Sequence, residues 1–287
     1  MTGYFFNLVI TNLLILTIAL FIAGKLYQLI IESYIKKVSL WLYILGFITI
    51  MFGSNIFLLL RGLKYDISVS CAILFISLTI YLLFLLKNKK HMKLKLTFIG
   101  ISTAFIVCSK PTYIVYYILI FYITYIISKK YISNKKDLLY MLTPCVIVGI
   151  FQMIYNYVRY DSIFEFGAKY QLTGFNLLEY TKFSWNRIFR ALKLYLFVLP
   201  RFDFNRFPYI FMDLFDENYL YTEYLYERYF VGLIAFPAII FSIIFVFNNE
   251  KKNNEFSIIK NCLRLSYLIF FIIIIINATF AGVAETY

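Results

Sequence analysis

Eight long apolar runs, separated by clusters of charge, set the limits on what this chain can fold into. They lie near 5–27, 38–60, 67–86, 94–109, 112–128, 138–158, 229–248 and 262–283. A helix needs about 20 apolar residues to cross the hydrocarbon of a bilayer. The runs reach or approach that length, and they exceed the roughly ten-residue alternating strands of a membrane barrel. Lipid supplies no water to unpaired backbone groups, so each run is expected to be a helix. The expected fold is all-α: a polytopic transmembrane helical protein of about eight spans with one extracytoplasmic segment of mixed helix and loop. Residues 1–158 would form a membrane core of about six spans, 159–228 the extracytoplasmic segment, and 229–287 two further spans. Composition agrees, since 62% of the 287 residues are hydrophobic and 15% are charged, against about 45–50% and about 25% in soluble domains.

The net charge of +13 would suggest nucleic acid in a soluble protein. Here the short loops account for it. Lys36, Lys37, Lys87, Lys89, Lys90, Lys93, Lys95, Lys129, Lys130, Lys135, Lys136, Lys251, Lys252, Lys260 and Arg264 fall on one side. The short loops of the other side hold Arg61, Lys64 and Lys110. The positive-inside rule assigns the first group to the cytoplasm. The acids run the other way: Asp66, Asp161, Glu165, Glu179, Asp203, Asp213, Asp216, Glu217, Glu223, Glu227 and Glu285 all fall outside. This reading places the protein in the cell membrane as a multi-pass chain with both termini extracytoplasmic, and excludes nucleic acid as a partner. Both ends then look cut, because Met1 starts outside without an upstream anchor and Tyr287 follows directly on a span. Residues 159–228 make one outer segment, long for a connection and therefore expected to carry function.

Several chemistries are disfavoured. Cys71, Cys108, Cys145 and Cys262 are scattered singly in or beside apolar runs, so zinc-ribbon and thioredoxin-like sites are unsupported. His91 is the one histidine and sits in a lysine-rich loop, against a histidine-based triad, a zinc protease site or a haem site. No Gly-rich phosphate loop occurs, against a cytoplasmic ATP- or nucleotide-dependent reaction. No metal site is assigned and no cofactor is certain; the dispersed outer acids leave a divalent metal open.

Five constellations are candidates for the site, each with a plainer alternative. Arg61-Gly62-Leu63-Lys64-Tyr65-Asp66 is a short outer turn. Its Asp66 either caps the next helix or serves as an acid facing an outer cavity. In Cys108-Ser109-Lys110-Pro111-Thr112, Pro111 breaks the apolar stretch, and Lys110 either snorkels or meets a phosphate. The string Tyr155 to Leu172 alternates aromatics with Arg159, Asp161, Glu165 and Lys169. It reads either as an interfacial aromatic belt or as a lipid-phosphate and sugar site, with arginine on phosphate and carboxylates on hydroxyls. From Trp185 to Lys193, Arg187, Arg190 and Lys193 recur every three residues opposite an apolar side. That pattern predicts an amphipathic helix in the interface, meeting anionic headgroups. Arg201 to Arg228 reads as an irregular outer cap rich in tyrosine and acid.

These strings resemble the membrane core of the bacterial GT-C glycosyltransferases, polytopic enzymes related to protein- and lipid A-glycosylating proteins, and within them a group of multi-span proteins of low-GC Gram-positive bacteria. The resemblance rests on Leu60-Arg61, Tyr65-Asp66-Ile67-Ser68-Val69-Ser70, Cys108 to Thr112, Tyr155 to Arg159 and Phe164 to Leu172. Phe207-Pro208-Tyr209 and Ala281 to Glu285 fit it too. It implies transfer of a sugar from a polyprenyl-phosphate donor to a cell-envelope acceptor on the outer face. It implies Asp66 as a supporting catalytic acid, with Lys64, Lys110, Arg159, Glu165, Lys169, Arg201 and Arg228 as substrate-binding groups. It also implies that the family's first helix and first outer loop, with the usual catalytic acid, lie outside this sequence, so that it is a fragment of such an enzyme. The competing readings are a transporter or flippase of lipid-linked precursors, and a non-catalytic or truncated membrane protein.

Overall fold

The computed structural model describes residues 8–35, 38–52, 64–132, 134–166, 185–197, 199, 201–202, 204–205, 210–211, 237–247 and 254–280. They divide into two compact units, 1–166 and 167–287.

Among its described residues the first unit holds six α-helices: α1 Leu8–Ile30, α2 Leu40–Phe52, α3 Lys64–Leu85, α4 Met92–Ser109, α5 Tyr116–Tyr131 and α6 Leu139–Tyr160. All six fall on runs expected from the sequence. α1 continues into a widened π-type turn over Ile31–Ile35, and α5 is entered through a 3-10 turn over Pro111–Val115. Five of these segments are long and apolar enough to cross a membrane, as is Ser257–Ile276 in the second unit, six in all. The chain is therefore a multi-pass membrane protein by length and composition of its helices. Over the described residues α2 is shorter, with its apolar stretch spanning Leu40–Met51.

Interhelical contacts fix the directions. α1 packs along α3, with Ser70 donating to Asn12 at 2.6 Å and the buried Leu16, Ala19 and Leu20 meeting Ile73 and Leu74. The contacts advance together along both helices, so the two are parallel. α2 runs back along α1: Tyr27 donates to the Tyr43 carbonyl at 3.3 Å, while Gly24 faces Phe47 and Met51. α3 and α4 form a tight antiparallel hairpin, held in its interior by a 2.7 Å hydrogen bond between Thr79 and Ser102. α4 and α6 cross in close backbone contact, since a Cβ at Gly100 would strike the Met141 carbonyl and come within 2.7 Å of Pro144 Cγ. A small residue at a crossing lets backbones approach, which is the usual basis of helix association in lipid. Of the apolar window in α6 only 6% is buried, against 39% for α4 and for the α5 segment. Thus α6 shows most of its surface to the surroundings, while α3 and α4 join the others, α3 packing on α1 and α5 and α4 on α6.

The second unit contains α7 Asn186–Phe197, α8 Pro237–Phe247 and α9 Asn254–Phe280. α7 matches the expected amphipathic helix: Tyr195 is buried, while Trp185 and Phe189 project outward. It packs on α9. α8 and α9 form an antiparallel pair joined by a Ser242–Tyr267 hydrogen bond, and Arg264 donates to the Val246 carbonyl at 3.2 Å. A two-residue antiparallel ladder pairs Arg201–Phe202 with Ile210–Phe211. This short ladder lies within the segment that the sequence reads as an irregular outer cap, most of which lies outside the described residues. Phe202, Ile210 and Phe211 favour extended backbone, but two-residue strands are too short to leave an alternating pattern.

Candidate functional site

α1, α3 and α5 run one way and α2, α4 and α6 the other, so the first unit has two chemically distinct ends. One end carries the α3–α4 and α5–α6 turns. The other carries the start of α3, the α4–α5 break and the end of α6. Lys64 and Asp66 lie in the first turn of α3, Lys110 at the break, and Arg159 and Glu165 at or just beyond the end of α6. Topology therefore brings five of the eight sequence-predicted residues to one end. Arg201 belongs to the short ladder of the second unit. Lys169 and Arg228 lie outside the described residues.

Local chemistry explains the break at Lys110. Proline disfavours helical backbone in the residue before it, and Lys110 is extended at φ −153°, ψ 114°. Its N–H closes α4 on the Ile106 carbonyl, and its own carbonyl accepts from Tyr113 N–H at 3.0 Å. Pro111 then occupies the start of the 3-10 turn, where its missing N–H costs nothing. The Lys110 ammonium lies 5.7 Å from the ring centre of the buried Tyr113, which meets Tyr116 edge-on. Thr112 keeps its hydroxyl oxygen buried without a hydrogen-bond partner. Beneath this layer Tyr117 donates to the Thr103 carbonyl at 2.9 Å, with the Cys145 sulfur at 3.9 Å. The lysine thus stands on tyrosines of the 3-10 turn and the start of α5, of which Tyr117 meets α4 at Thr103 and α6 at Cys145.

The end of α6 is built differently. Arg159 Nη1 donates to Tyr155 Oη at 2.6 Å, and its guanidinium lies 5.1 Å from the Tyr160 ring centre. Asp161 ends the helix in the left-handed region at φ 53° and donates its N–H to the Tyr157 carbonyl. Glycine or asparagine normally fills such a cap, because a Cβ is crowded there. Asn156 secures the turn that follows. It is 1% exposed, accepts from Gln152 Nε2 at 2.9 Å and donates to the Ile163 carbonyl at 3.2 Å. This amide pins Asp161–Phe166 against the helix end and so places Glu165, which is half-buried.

Asn156, Asn12 and Ser70 are supporting residues to which reasoning from sequence gave no role, although Asn156 and Ser70 lie within the strings it quoted. Their signal was present: an amide inside an apolar run is costly in lipid unless it finds a partner. Which partner it finds is a tertiary fact. The buried polar side chains among the described residues are all uncharged, namely Asn12, Ser70, Thr79, Ser102, Thr103, Thr124 and Asn156. The four cysteines are free and half-buried. Among the described residues no group of three His, Cys, Asp or Glu is placed to hold a metal ion.

In chemical terms this end offers aromatic-backed cations for a phosphate and carboxylates for hydroxyl groups. A scan against protein-family models finds no match for the chain, and searches of curated proteins and of solved structures find none.

Proposed function

We propose that the chain is a GT-C-like integral membrane glycosyltransferase, or the core of one, taking a sugar from a polyprenyl-phosphate donor on the extracytoplasmic side. The observation that supports this most is the gathering of Lys64, Asp66, Lys110, Arg159 and Glu165 at one end of the six-helix unit, opposite the lysine-rich turns. A lipid-linked donor needs cations at headgroup depth for its phosphate. Arg159 and Lys110 are held against tyrosine rings, and tyrosine favours that depth. The acceptor hydroxyl needs a carboxylate to take its proton, and Asp66 is assigned that supporting role. A divalent metal remains compatible with the reading but has no assigned ligands. The neutral, hydrogen-bonded buried polar groups read as packing, and give no specific support to a coupled transporter, which concentrates ionisable groups at mid-membrane.

The test is transfer from a panel of radiolabelled polyprenyl-phosphate sugars by membranes containing the complete gene product. Transfer is expected with at least one donor. Asp66→Asn is expected to lower turnover, and Lys110→Gln to weaken donor use by about tenfold, the loss of one charge-assisted contact. Absence of product with every donor, or turnover unchanged by Asp66→Asn, would remove the assignment.

A further inference from the structure

We propose that the lysine-rich end of the first unit seats the phosphodiester headgroup of an anionic glycerophospholipid. Apart from Lys110, which lies at the opposite end, the sequence from Leu86 to Leu138 holds Lys87, Lys89, Lys90, Lys93, Lys95, Lys129, Lys130, Lys135 and Lys136, with Asp137 as its sole carboxylate. The fold draws these lysines together, because the α3–α4 and α5–α6 turns share one end and Lys93 of α4 reaches Tyr140 of α6.

Two observations point to a lipid instead of a soluble anion. First, three ammonium groups rest on tyrosine rings: Lys93 at 5.2 Å from Tyr140, Lys129 at 4.4 Å from Tyr125 and Lys130 at 5.5 Å from Tyr131. Tyrosine settles at the headgroup layer, so these charges are held at phosphate depth. Second, the same two helices carry exposed apolar residues close to this end, Leu94 and Phe98 on α4 and Leu139 and Leu142 on α6. Cations with an apolar skirt directly below match a headgroup with its acyl chains.

Lys95 plays another part. It donates to the carbonyls of Leu85 at 2.9 Å and Asn88 at 2.7 Å, capping α3 and fixing the turn. Asn88 and Asn134 accept from the backbone N–H of Lys90 and Lys136 respectively. The seat is thus framed by turns whose backbone is already satisfied.

The experiment places a tryptophan beside the seat and asks which lipid quenches it. Trp41→Phe and Trp185→Phe remove the native indoles, and Leu94→Trp or, independently, Leu139→Trp supplies the probe. The protein is reconstituted in phosphatidylcholine vesicles with a minor fraction of brominated phosphatidylglycerol or of brominated phosphatidylcholine. Relative association is expected to favour phosphatidylglycerol by roughly threefold or more at either probe. Lys93→Gln, Lys129→Gln and Lys130→Gln together should bring the ratio to about one, while Val158→Trp at the opposite end should show no preference. Equal quenching by both lipids with the lysines intact would overturn the proposal. So would abolition of the preference by millimolar inorganic phosphate, which would reassign the seat to a soluble anion.

Discussion

The two ends of the first unit are built from the same helices yet solve different problems. At the lysine-rich end the connections are short and closed on themselves. Lys95 caps α3, Asn88 and Asn134 cap their own turns, and His91 adopts φ 54° to reverse the chain within a few residues. At the other end the helices stop irregularly, at an extended Lys110 and a left-handed Asp161; the cations Lys110 and Arg159 stand on tyrosine rings, and Asp161 and Glu165 follow the end of α6. The first arrangement closes the turns and presents lysines with Asp137 as the one carboxylate among them, which suits a surface of negative charge. The second displays mixed charge on a buried scaffold, which suits selection of a polar ligand. The difference teaches that the lysines need only be near the right depth, whereas the candidate site depends on particular buried hydrogen bonds.

The largest expected effect tests what the ends share. Gly100→Leu drives a side chain into the Met141 carbonyl, so α4 and α6 must separate. The loss should reach about 3 kcal/mol or more, seen as a lowered melting midpoint in detergent and altered exchange at both ends. A midpoint unchanged from the parent would show that this crossing does not hold the unit together.

Asn156→Leu should act at one end alone. It leaves the Ile163 carbonyl without its donor, at a cost of about 1–3 kcal/mol. Backbone amides over Asp161–Phe166 should exchange faster, while the α3–α4 turn keeps its protection. Equal change at both ends would dissolve the distinction drawn between them.

Lys95→Met is the matching change at the lysine-rich end. It removes the donor to Leu85 and Asn88, and solvent access reduces the effect to about 1 kcal/mol. Faster exchange should appear around Asn88–His91 and leave the end of α6 untouched. The smallest effect is expected from Thr79→Val, where the Ser102 partner lies inside the α3–α4 hairpin. Interhelical hydrogen bonds in lipid average about 0.6 kcal/mol, so a double-mutant cycle with Ser102→Ala should return a coupling of that size.

Much of this was legible in the sequence, for a physical reason. Lipid admits helices and little else, so an apolar run near the right length becomes a helix with few alternatives. The six runs of the first unit, and the amphipathic pattern from Trp185, all mark helices. Boundaries were less legible where burial is not what extends a helix. α9 begins at Asn254, ahead of the apolar run near 262, because Asn254–Lys260 continues the helix with Phe256, Ile258 and Ile259 set among polar and charged residues. For the site, the sequence marked Lys64, Asp66, Lys110, Arg159 and Glu165, and topology gathers these five at one end. The details that hold them were not legible. The Asn156 clamp, the Arg159 stack and the Asn12–Ser70 pair depend on which atoms meet after folding, and no periodicity encodes that.

The central claim is that the mixed-charge end faces outward and the lysine-rich end inward. Cysteine labelling in intact cells tests it most directly. With the native cysteines replaced by alanine, Ser162→Cys and Lys89→Cys supply exposed thiols at the two ends. A membrane-impermeant maleimide should modify Ser162→Cys in intact cells, and Lys89→Cys only after permeabilisation. Labelling of Lys89→Cys in intact cells while Ser162→Cys stays protected would contradict the orientation, and with it the placement of the proposed reaction.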